Sequence, residues 1–123
     1  MSQAAVQTDN AIDNAQLSAD LCDKARAMIP ALRERVDEAA QLGKLPQASV
    51  EAMVSNGFFR IMQPARYGGF ELPPKAFFDV QMILAEGCMS TAWVLGVVAI
   101  HNWQLGLFDD RAQQDVWGEN AER

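Results

Sequence analysis

The sequence predicts an all-α domain, and three observations carry that prediction. Leu21, Ala25, Met28, Leu32, Val36 and Ala39 recur at spacings of three and four, which draws one apolar stripe along a helix. The stretch Ser90 to Leu105 is almost wholly apolar over its first eleven residues, the composition of a helix that belongs in an interior. Glycines and prolines punctuate the remainder into segments of helical length.

Residues 1–17 show little apolar periodicity and read as a flexible N-terminal tail, leaving 18–123 as the helical domain. Ser18 can cap the first helix, with Leu21 as its first core residue. Pro30 removes the hydrogen bond to the Arg26 carbonyl and predicts a kink, and Gly43 ends the element. Pro46 suits the first turn of a second helix and Gly57 its C′ position, with Val50, Met53 and Val54 inward. Phe58 to Met62 reads as a short extended segment. Gln63 to Pro74 holds three prolines and a Gly-Gly pair and reads as a loop. A third helix is predicted over Lys75 to Glu86, burying Phe77, Val80 and Leu84. Gly87 then breaks the chain, and Ser90 caps the apolar fourth helix. A last helix starts at Asp109 or Asp110 and stops at Gly118. Paired carboxylates at that start are explained by capping and the helix dipole rather than by acid–base work.

Composition excludes several functions. A formal net charge of −6, with no cluster of lysines or arginines, gives phosphates nothing to bind, so neither nucleic acid nor an anionic membrane surface is an expected partner. The apolar run Ala92 to Ile100 falls short of the roughly 20 residues a bilayer span needs. Cys22 and Cys88 form no CxxC pair, and Met1 to Asn14 is too polar for a signal peptide, which predicts free thiols and a cytoplasmic location. The single histidine, His101, has no second histidine or cysteine at ligand spacing, so zinc is not expected.

An imidazole inside an apolar helix, between Trp93 and Trp103, either takes one structural hydrogen bond or lines a pocket for an aromatic compound. Along a helix Trp93 and His101 stand about 12 Å apart and about 80° round the axis, so both can border one cavity. Trp93 is then either a core aromatic or a wall for an aromatic ring, and Trp103 reads as packing. Tyr67, at the tip of the Gly-Gly loop, is a candidate for the pocket entrance. Arg66 reads as a solvated loop residue, and Gly68 and Gly69 serve turn geometry, since no helix start follows to bind an anion.

Five segments in order, Gly57-Phe58-Phe59-Arg60, Gln63-Pro64-Ala65-Arg66-Tyr67-Gly68-Gly69, Ser90-Thr91-Ala92-Trp93, His101-Asn102-Trp103-Gln104-Leu105 and Asp115-Val116-Trp117-Gly118, resemble the N-terminal helical domain of the acyl-CoA dehydrogenase fold. More narrowly, they resemble the oxygenase components of two-component flavin-dependent aromatic hydroxylases of the secosteroid phenol hydroxylase and 4-hydroxyphenylacetate 3-hydroxylase type. The likeness covers residues from about 24 to 118. The Tyr-Gly-Gly loop is shared with many acyl-CoA dehydrogenases, whereas Ser-Thr-Ala-Trp followed by His101 is far more discriminating.

The resemblance implies a flavin-dependent monooxygenase that ortho-hydroxylates a phenolic substrate with O2 and reduced FMN or FAD, the flavin coming by diffusion from a separate reductase component. It implies His101 as the base that polarises the phenol, with Trp93, His101 and Tyr67 as substrate-binding residues. A neutral imidazole, of unperturbed pKa about 6.5, can accept the phenolic proton, and burial would favour the neutral form. Proteins of this type are several times longer, with a flavin-binding β-domain and a C-terminal helical bundle that assembles a homo-oligomer. This chain is therefore expected to be a fragment or truncated product that retains no flavin by itself. The alternatives are the N-terminal domain of an acyl-CoA dehydrogenase, disfavoured by Trp93 and His101, and a non-catalytic helical interaction module.

Overall fold

The computed structural model describes residues 3–123, with side-chain placement from residue 13 onward. Six α-helices and two single 3₁₀ turns follow one another, with no strand among the described residues. The helices are α1 (Gln3–Glu34), α2 (Val36–Leu42), α3 (Gln47–Ser55), α4 (Pro74–Gly87), α5 (Met89–Leu105) and α6 (Asp110–Trp117).

α1 begins well before the predicted cap at Ser18. Helix extends from Gln3 through the position expected of a cap, so Ser18 is mid-helix and Leu17 packs against the core. The segment holds alanines at 4, 5, 11 and 15 and neither glycine nor proline. Good helix formers joined to an already nucleated helix extend it without a second nucleation cost. Pro30 also lies within α1, and the break to α2 falls at Arg35, not at the proline.

The predicted stripe holds along α1, where Leu21, Ala25, Met28 and Leu32 are all buried. It does not continue into α2, where Val36 is 43% exposed. Gly43 closes α2 in the left-handed region at φ 64°, donating its N–H to the Ala39 carbonyl. Gly57 does the same beyond α3 at φ 77°.

The core lies where α1, α4 and α5 pack in sequence, closed by α3 and the turn that follows it. Phe58, Phe77, Leu84 and Leu95 are fully buried there, each worth about 1.5–3 kcal/mol by apolar area. Gly87 sits at the α1–α4 crossing, where a Cβ would stand 2.9 Å from that of Leu32. α4 therefore includes the glycine expected to break it. The junction falls at Cys88, extended at φ −161°, and places Ser90 inside α5.

The expected extended segment at Phe58 is a 3₁₀ turn, Phe58–Arg60. Backbone hydrogen bonds across the following loop hold it to this turn: Phe70 and Leu72 donate to the Arg60 and Ile61 carbonyls, and Glu71 to that of Gln63, at 2.9–3.0 Å. The loop so folded contains a second 3₁₀ turn, Ala65–Tyr67. Buried Gln63 ties it down, its Nε2 donating at 2.8 Å to the carbonyls of both Tyr67 and Ala121.

Candidate functional site

α5 is the element that carries the site, and its burial differs from expectation. A helix apolar on every side predicts burial on every side, yet only Thr91, Ala92, Leu95 and Ala99 face the core. Val97, Val98, Ile100 and Trp103 are between 38% and 45% exposed. Trp103, read as packing, is 41% exposed, and Trp93 is 69% exposed rather than a core aromatic. An all-apolar sequence has no polar side to reveal which face a domain leaves open, so this could not be read from periodicity.

Trp93 borders two clefts. One, of about 570 Å³, lies between α2 and the start of α5, with Val36, Ala40, Leu45 and Met89 among its walls. The other is a shallow groove of about 260 Å³ between α4 and α5, lined by Phe77, Phe78 and Gln81 on one side and Trp93, Gly96, Val97 and Ile100 on the other. Phe77 and Phe78 stand with ring centroids 5.1 Å apart, so the groove has two aromatic walls facing an indole.

His101 is exposed at the far end of this stripe, so the burial expected of it is not supplied by the described residues. Its Nδ1 lies 2.5 Å from the carbonyl oxygen of Val97, one turn back. A carbonyl can only accept, so Nδ1 carries the proton and Nε2 of the neutral ring is left as the acceptor. That arrangement holds the ring in one tautomer beside Val97, itself a groove residue.

Tyr67 is placed elsewhere. Its hydroxyl donates to Asp110 Oδ1 at 2.7 Å and lies 3.2 Å from Gln114 Oε1, and its ring packs 5.7 Å from that of Trp117. It lines neither cleft beside Trp93. The hydrogen bond to the Asp110 carboxylate, with some burial and the negative charge itself, raises the Tyr67 pKa above its ordinary 10.0. Arg66 is not simply solvated either, since it pairs with Asp110 at 3.0 Å and donates to Gln113 Oε1 at 3.0 Å. Together the two side chains strap the loop to α6. Asp109 is the N-cap of that helix, accepting from the Arg111 N–H at 2.9 Å, as its sequence position predicts.

No group of three potential metal ligands occurs among the described residues, and no described helix is long and apolar enough to cross a membrane. The Gly-Gly pair is packed rather than open: a Cβ on Gly69 would overlap the Gln63 carbonyl, and one on Gly68 would meet Ala121 at 2.9 Å.

The chain has well-defined relatives. Residues 16–120 match the family described as acyl-CoA dehydrogenase, N-terminal domain. The oxygenase subunit HsaA of a flavin-dependent monooxygenase from Rhodococcus jostii is 41% identical over 96 residues, covering 78% of this chain and 25% of that protein. The oxygenase component of p-hydroxyphenylacetate 3-hydroxylase from Acinetobacter baumannii is 27% identical over 97 residues, 79% of this chain and 23% of its own length. Among solved structures, the HsaA monooxygenase from M. tuberculosis superimposes with a TM-score of 0.82 at 38% identity, over 85% of this chain and 29% of that one. XiaF from Streptomyces sp., in complex with FADH2 and glycerol, gives a TM-score of 0.86 at 26% identity, over 93% of this chain and 29% of its own. The chain spans about a quarter of the length of the curated relatives it matches.

Proposed function

The chain belongs to the acyl-CoA dehydrogenase N-terminal domain family, and we propose that it forms the substrate-side wall of an oxygenase component that hydroxylates a phenol ortho to its oxygen. One observation carries the reading. His101 is fixed by the Val97 carbonyl with Nε2 free to accept, eight residues after the exposed Trp93 indole on the same helix, although it lines neither cleft that Trp93 borders. In this reading Trp93 stacks on or walls the ring, and His101 Nε2 accepts the phenolic proton. Transfer of that proton loads electron density onto the ortho carbon, which prepares it for an electrophilic oxygen.

That oxygen would come from reduced FMN or FAD and O2, with the flavin supplied by a reductase component and held outside the residues described. Tyr67 is left out of the site, because its hydroxyl is committed to Asp110 and it lines neither cleft beside Trp93. A thioester site would have no use for the acceptor at His101, which disfavours acyl-CoA dehydrogenation. Assembly into a homo-oligomer and a cytoplasmic setting belong to the same proposal.

Titration of p-cresol into wild-type and His101→Ala chains tests the binding part. Weaker binding in the variant, with toluene unaffected, is expected, and equal affinities would remove His101 from the site. A flavin titration tests the division of labour: no saturable binding is expected, and a tight site within this chain would overturn it.

A further inference from the structure

α2 lies on the molecule without entering its core. None of its residues is buried, and the apolar Val36 and Leu42 stay nearly half exposed. Val36, Ala39 and Ala40 instead line the cleft beside the start of α5, together with Met89, Trp93 and Val94. The volume of about 570 Å³ falls within the about 300–1,000 Å³ usual for small-molecule sites.

Lys44, directly after the glycine that closes α2, is the only charged residue on the walls of this cleft. It is exposed, and the ion pairs among the described residues engage Arg26, Arg60, Arg66 and Lys75 but not Lys44. It also lines the neighbouring cleft with Glu38, and the two do not pair. A lysine lays its stem along apolar surface and keeps its ammonium in water. An apolar cleft with one uncompensated positive charge is complementary to an apolar body carrying one negative charge. A single ammonium is a point charge, so it matches a monoanion, whereas phosphates are held by forked or multiple donors. The chain's net charge of −6 repels anions at large, so any selection of one must come from this local arrangement.

We propose that the α2–α5 cleft binds a small amphipathic carboxylate, with its apolar body against Val36, Met89 and Trp93 and its carboxylate at Lys44 Nζ. The inference does not rest on the phenol reading, because His101 is not a wall of this cleft.

The test titrates the chain with octanoate and with 1-octanol, which share an apolar body and differ at the head. The Cys88 thiol lines this cleft alone, and the Gln81 side-chain amide lines only the α4–α5 groove, so the two report which site is filled. Alkylation of Cys88 by iodoacetamide is separable from that of Cys22, which is buried and whose thiol pKa that burial raises. Octanoate should slow Cys88 alkylation and shift the Trp93 indole N–H in nuclear magnetic resonance spectra, with the Gln81 amide unmoved. Lys44→Met should weaken octanoate about two- to fivefold, the margin of an exposed ion pair, and leave 1-octanol unchanged. That margin should vanish at about 1 M salt, where charges are screened within about 3 Å. Ala40→Trp, an exposed position on a helix that buries nothing, should block both compounds. Octanoate that binds Lys44→Met as tightly as wild type, or that leaves Cys88 alkylation unchanged, overturns the proposal. Protection of Cys88 that grows with protein concentration, without octanoate, assigns the cleft to a second copy of the chain and overturns it too.

Discussion

The Tyr67 hydroxyl donates a hydrogen bond to Asp110 Oδ1, 43 residues on, at 2.7 Å, and thereby closes the Gly-Gly loop onto the last helix. Arg66 meets the same carboxylate oxygen at 3.0 Å, so Asp110 joins two loop side chains at once. This is the only tyrosine of the chain, which makes the contact directly measurable.

Its ionisation should be displaced upward. The hydrogen bond to Asp110 is lost when Tyr67 ionises, so the folded state holds the proton more tightly than the unfolded one. The stability this contact contributes is present below the ordinary value of 10.0 and disappears as pH rises through the folded pKa. Absorbance titration at 295 nm should give a midpoint above 10.0, returning towards it in Asp110→Ala. A midpoint that does not respond to Asp110→Ala would mean the strap is open in solution.

Gly69→Ala should be costly. The new Cβ would overlap the Gln63 backbone carbonyl, and backbone cannot swing aside as a flexible side chain can. Overpacking of this kind costs about 1–3 kcal/mol. Thermal unfolding should fall by several degrees. Gly43→Ala meets no atom within 4 Å and is strained only by its φ of 64°, so it should cost less.

The open face of α5 should drive self-association. Met89, Trp93, Leu107 and Phe108 are each more than half exposed, beside four further large apolar residues on the same helix or its end. Bare apolar patches of this kind associate. Light scattering across the micromolar range should show species larger than 13.5 kDa, reduced by Trp93→Ser with Leu107→Ser. A clean monomer with no binding of an apolar dye would contradict the account of this face.

Much of the fold was legible in local chemistry. Gly43 and Gly57 sit where a left-handed residue must end a helix, and Asp109 sits where a carboxylate caps one. The spacing of Leu21, Ala25, Met28 and Leu32 named the buried stripe of α1. What local chemistry could not carry were relationships between distant segments. The exposure of Trp93 and Trp103 depends on what packs beside α5, and a helix apolar all round looks the same whichever side is covered. The commitment of Tyr67 and Arg66 to α6 joins residues more than 40 positions apart.

The proposed role of His101 is tested most directly in a full-length oxygenase component of the proposed kind bearing this domain, supplied with reduced flavin, O2 and a phenol. His101→Ala should lower hydroxylation about 10²–10⁴-fold, because the proton acceptor is gone. Oxygen should still be consumed, appearing as hydrogen peroxide in place of hydroxylated product. His101→Asn should be as inactive, since it offers no basic nitrogen. Product yield per O2 consumed, measured beside hydrogen peroxide release in folded variants, separates the outcomes. Loss of coupling with intact oxygen consumption is the predicted result. Hydroxylation rate and coupling at wild-type levels would make His101 a helix residue satisfied by Val97 alone, and would contradict the account.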